Sequence, residues 1–136
     1  MTKTKWWLRV VGAFYLLLTA MNLYGLFINT SFFNSTLPYE ATDTTVKAFA
    51  DAWLVFVAEL GVLGGMMLYA SRNPERSSVL VWTIVWAEVF RGIVTDAIWI
   101  SRGYSTSSYA VFIVIHLIII ATGVYFIRQE SAKAAV

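Results

Sequence analysis

The sequence predicts an all-α integral membrane protein, a single domain over residues 1–136 folded as a four-helix bundle. Three observations predict it. The composition is 59% hydrophobic and only 13% charged, with a mean hydropathy of +0.68, where ordinary soluble domains run near 45–50% apolar and about 25% charged. Four apolar runs are each about as long as the roughly 20 residues a helix needs to cross a bilayer. Basic residues gather at the ends of those runs on one side, as the positive-inside rule requires.

The elements follow in order. Residues 1–5 are short, polar and basic, and the first span runs from about Trp6 to Ile28. A cleaved signal peptide has a shorter apolar core of about 7–15 residues and a small-x-small cleavage site; this run is longer and lacks such a site, so it reads as a retained helix. Asn29–Lys47 is the longest loop and holds Pro38, Glu40, Asp43 and the apolar Phe32, Phe33 and Tyr39. Loops of that length often act as lids; the blander reading is a connector with its aromatics at headgroup level. The second span covers about Ala48–Ala70. Pro74 then disfavours helix at Asn73 and makes a tight turn. The third span is about Ser78–Ile100, the polar stretch Arg102–Ser108 connects, and the fourth is about Tyr109–Ile127.

Seven Lys and Arg residues (Lys3, Lys5, Arg9, Arg72, Arg76, Arg128, Lys133) flank one side of these spans and two (Lys47, Arg102) the other. Both termini are therefore expected in the cytoplasm, with the long loop outside. Trp6, Trp7, Trp53 and Trp99 lie near span ends, where an aromatic belt forms. A net charge of +2 and a pI near 9.0 are explained by this orientation and do not call for a nucleic-acid partner. No cysteine occurs, which excludes disulfides and thiolate metal sites.

The third span is the anomaly. It carries Glu88, Arg91 and Asp96. At about 2.5–3.5 kcal/mol for each central charge, the three cost roughly 7–10 kcal/mol. The Val, Leu, Ile and Phe residues of Val79–Ile100 number eleven and contribute only about 3–7 kcal/mol at roughly 0.3–0.6 each. Neighbouring helices must supply partners. Glu59 lies near the middle of the second span, His116 near the middle of the fourth, and Asn22 somewhat outward in the first. Every helix thus places a polar group in the central or outer half, and the inner half has hardly any. That asymmetry predicts a pocket opening outward.

Helical phase points the same way. Glu88, Arg91, Thr95, Trp99 and Arg102 follow three- and four-residue steps. Tyr109, His116 and Gly123 share one face of the fourth span, and Tyr15, Asn22 and Asn29 one face of the first. At 100° per residue Asp96 points about 80° from Glu88 and is expected to face a different neighbour. Candidate ligand contacts are Glu59, Glu88, Arg91, Asp96, His116 and Asn22, with Trp86, Trp99 and Tyr109 as apolar walls.

Each has a structural counterpart. Glu88 and Arg91 neutralise one another as an i,i+3 pair; Glu59 meets Arg91 across the bundle or stays protonated; a lone His116 is commonly a hydrogen-bonded core residue. Asn22 is commonly helix–helix glue, and Gly61-x-x-x-Gly65, away from Glu59, a close-packing motif within the bundle or across a dimer. Asn29-Thr-Ser and Asn34-Ser-Thr match the glycosylation triplet, which matters only in a eukaryotic host. One histidine with scattered carboxylates is poor zinc chemistry, so no metal is expected, and no cofactor motif occurs.

The opening Trp6-Trp-Leu-Arg-Val-Val-Gly-Ala-Phe-Tyr-Leu-Leu17 and the block Val81-Trp-Thr-Ile-Val-Trp-Ala-Glu-Val-Phe-Arg-Gly-Ile-Val-Thr-Asp96 resemble the BphX-like family of small bacterial integral membrane proteins. The resemblance covers most of the chain. It implies a four-helix protein of the bacterial inner membrane, sometimes associated with degradation of aromatic compounds. It supplies no catalytic residues.

Three functions fit these residues. The first is a pocket that binds a small amphipathic, aromatic or lipid-like molecule. The second is a proton- or cation-coupled transporter working as a homodimer, motivated by Glu59. The third is a membrane enzyme doing acid/base chemistry on a hydrophobic substrate, with carboxyls beside a histidine.

Overall fold

A computed structural model describes residues 3–35 and 37–134; Thr36 of the second glycosylation triplet, residues 1, 2, 135 and 136, and the side chains of Ser131, Lys133 and Ala134 lie outside that description. Four long helices dominate: α1 (Lys3–Phe27), α2 (Asp43–Ala70), α3 (Ser78–Ser101) and α4 (Thr106–Ala134). Each is long and apolar enough to cross a membrane, and no strand occurs among the described residues. Hydrocarbon offers the backbone no hydrogen-bond partner, so apolar runs of this length close their bonds internally as helices.

The helices outrun the expected spans, because a helix does not end where the hydrocarbon does. Helix α2 begins five residues before Ala48. Thr42 caps it: its hydroxyl accepts from the Thr45 N–H at 3.2 Å, and the Thr45 hydroxyl accepts from the Thr42 N–H at 2.9 Å. Asp43 in the first turn suits the positive end of the helix dipole. The turn after α2 is a short 3₁₀ segment, Pro74–Arg76, tied down by the Ser77 hydroxyl donating to Asn73 O at 2.9 Å. Between α3 and α4 the chain reverses through Gly103, whose φ of 88° is the left-handed conformation glycine adopts without strain.

Helices α1 and α2 make the most extensive contact in the bundle. They meet at glycine. A Cβ on Gly12 would stand 3.0 Å from Gly64 O, and one on Gly64 would stand 3.0 Å from Gly12 O. Within this one chain the Gly61/Gly65 pair does not act together: Gly61 faces α1, at Thr19, Gly65 faces open space, and Gly64 makes the close approach. Gly61 and Gly64 are three positions apart, which keeps them on one helix face. Helices α3 and α4 form the second pair, and α1 packs on α4.

The half of the bundle nearer the chain termini, called the inner half below, is a solid core of Trp7, Leu8, Val11, Met67, Val81, Ile84, Val85, Ile119 and Ile127. Trp7 lies over Gly123 and donates its indole N–H to Thr122 Oγ1 at 3.1 Å. Large apolar side chains such as Val55, Val79 and Phe27 face outward, as contact with lipid tails requires and as water would not tolerate in such number.

Candidate functional site

The site starts from an irregularity in α3. Glu88–Val94 is a seven-residue π-helical segment, and the Thr95 hydroxyl donates to Phe90 O, five positions back, at 2.9 Å. Wider turns of this kind recur at functional sites. Each residue in the segment advances less than the usual 100°, which changes every phase downstream. The expectation that Asp96 faces a different neighbour from Glu88 is therefore corrected: both carboxylates meet His116 of α4. Gly92 permits this, because a Cβ there would lie 2.6 Å from the His116 ring.

Four helices deliver the charges to one place. Glu88 is buried, 1% exposed, and accepts from the Tyr15 hydroxyl of α1 and from His116 Nδ1. Arg91 donates to Tyr15 Oη at 3.0 Å and to Glu59 Oε1 of α2 at 3.3 Å, and its guanidinium lies over the rings of Tyr15 and Phe56, 5.3 Å from each. Its Nη2 stands 4.0 Å from Glu88, so Tyr15 and His116, rather than the i,i+3 arginine, hold that carboxylate. His116 Nε2 stands 3.4 Å from Asp96 Oδ2. The network runs Glu59–Arg91–Tyr15–Glu88–His116–Asp96, and every helix contributes to it.

Around and above it lies a cavity of about 390 Å³, within the roughly 300–1,000 Å³ range of small-molecule sites. Its walls are mainly aromatic. Trp53 and Trp99 approach across the α2–α3 cleft with ring centroids 5.6 Å apart, and Trp99 meets Tyr109 edge-on at 5.2 Å. Phe32 and Phe33, in the 3₁₀ turn Thr30–Phe33 of the long loop, also line it. Phe33 is buried against Phe49, so these loop aromatics fold over the cavity instead of resting beside the bundle. On the other connector, burial and then the neighbouring Tyr39 hydroxyl raise the Tyr104 pKa above its ordinary value. Tyr104 stays a neutral phenol, stacked on Trp99 at 5.7 Å.

Seven of the nine residues singled out from the sequence line this cavity: Asn22, Glu88, Arg91, Asp96, Trp99, Tyr109 and His116. Asn22 is spent on structure, accepting the Trp53 indole N–H at 2.8 Å and donating to Leu18 O at 2.8 Å. Glu59 stands outside the lining, its side chain 54% exposed, and reaches the site only through Arg91. Trp86 needs correction. It stacks on Phe90 and borders a surface groove with Trp82 and Arg128; two positions before Glu88, about 200° round an α-helix, it faces the opposite way. Sequence reasoning missed Tyr15 as a hub, although it lies one heptad from Asn22, and missed Trp53, whose belt position concealed a ring turned inward.

No group of three or more histidine or acidic side chains able to hold a metal ion occurs among the described residues. Residues 1–133, nearly the whole chain, match the family described as BphX-like. No curated protein and no solved structure gives a match.

Proposed function

The chain belongs to the BphX-like family, and we propose that it is a membrane-embedded binding protein for a small, largely apolar molecule with one polar group. The observation that carries this reading is the cavity of about 390 Å³ whose aromatic walls meet a hydrogen-bonded charge network on one side. Apolar walls set affinity for the body of a ligand, and a few convergent polar groups fix its orientation. The seven-to-two split of Lys and Arg supports an orientation with both termini cytoplasmic and the cavity toward the outer side, and the family resemblance supports the inner membrane of a bacterium.

The test is thermal stabilisation of the purified protein in lipid nanodiscs by a panel of single-ring aromatic amphiphiles. A binder should raise the melting temperature of the wild type, and Leu18→Trp, which fills the cavity from α1, should remove most of that shift. Equal shifts in both proteins would place binding elsewhere.

His116 favours a second reading. Its two ring nitrogens face Glu88 and Asp96 at the cavity wall, the arrangement of a proton carrier, which suits acid/base chemistry on a hydrophobic substrate. Transport rested on an unpaired Glu59; with Arg91 at 3.3 Å that motive is weaker.

A further inference from the structure

Resting on the binding reading above, we propose that the ligand of this cavity is an organic cation: an ammonium group on an apolar, ring-sized body, its nitrogen against Asp96. Two independent observations lead there.

The first is a charge balance. Glu59, Glu88 and Asp96 bring three carboxylates to the network, against the fixed cation of Arg91 and at most one positive charge on His116. Even with His116 protonated, one carboxylate is in excess. Glu59 pairs with Arg91, and Glu88 is held by His116 and the Tyr15 hydroxyl. The excess falls on Asp96. Arg91 and His116 are the basic side chains among the cavity's lining residues.

The second is an orphaned atom. Asp96 is 5% exposed and lines the cavity, and its Oδ2 has no hydrogen-bond partner; its ion-pair contact, His116 Nε2 at 3.4 Å, belongs to a ring that Glu88 already holds through Nδ1. Two buried carboxylates that share one histidine are under-compensated, and buried charge is normally matched by a full counter-charge. An anion is repelled there, and a neutral ligand leaves the charge unbalanced. A metal ion lacks ligands, since no cluster able to hold one occurs among the described residues. A polyatomic cation suits the walls as well: Trp99 lies three positions after Asp96 on α3, with Trp53 and Tyr109 against it. Such rings attract an ammonium through their π-faces.

The experiment titrates the full chain in nanodiscs, following tryptophan fluorescence, with three probes of similar body: benzylammonium, its neutral isostere ethylbenzene, and phenylacetate. The expected result is that the cation binds at least tenfold more tightly than the neutral probe per lipid-phase concentration, that phenylacetate does not bind, and that Asp96→Asn brings cation and neutral probe to parity. Equal binding of cation and neutral probe to the wild type overturns the inference and leaves the pocket reading standing. A cation preference that survives in Asp96→Asn overturns it too. Binding of none of the probes overturns both. The wild-type comparison decides even where the variant does not fold.

Discussion

In the inner half of the bundle Gly12 and Gly64 bring α1 and α2 into backbone contact, and Trp7, Met67 and Ile84 fill what remains. In the outer half the same four helices are held apart by rings and charges. There Trp53 reaches Trp99 across the α2–α3 cleft, and Arg91 reaches Glu59. The contrast teaches that one fold can close at one end by small-residue packing and stay open at the other by polar bridging. Lipid gives helices no hydrophobic reason to associate, so close packing and hydrogen bonds between helices must do it. The inner half uses the first and the outer half the second.

Substitutions at each end break or sharpen this contrast. The largest effect is expected at Glu88→Ala, which strands Tyr15 and His116 in the buried centre of the network. Removing one partner of such a buried pair typically costs about 3–5 kcal/mol, readable as unfolding free energy in bicelles. Next comes Gly64→Val in the packed half, where the new side chain meets the Gly12 carbonyl and the cost is about 1–3 kcal/mol. Gly65→Val, one position on and facing open space, should be close to silent, and a loss equal to that of Gly64→Val would contradict the crossing described. The smallest effect is expected at Glu59→Gln. That carboxylate is half exposed, and the loss should stay below about 1 kcal/mol, with the other members of the network undisturbed.

Much of this contrast was legible in the sequence. Four spans follow from length and hydropathy, because hydrocarbon admits few alternatives to a helix. The gathering of Glu88, Arg91 and His116 follows from the same physics, since isolated ions are not tolerated at that depth. What escaped was local. The start of α2 depends on a Thr42/Thr45 cap inside a stretch read as loop. The direction of Asp96 depends on a π segment, for which Gly92 in the middle of a helix was the one available signal. Trp86 fails as a cavity wall because helical phase, two positions from Glu88, places it opposite. Tyr15 carries no charge, so its place on the Asn22 face gave no sign that its hydroxyl links Glu88 to Arg91.

The central claim is that groups from separate helices act as one network in the outer half. A double-mutant cycle between Glu88→Gln on α3 and His116→Gln on α4, read as unfolding free energy in bicelles, tests it most directly. Contact between the two predicts a coupling energy of about 1–3 kcal/mol. Additive losses, agreeing within about 0.5 kcal/mol, would mean the two side chains do not meet.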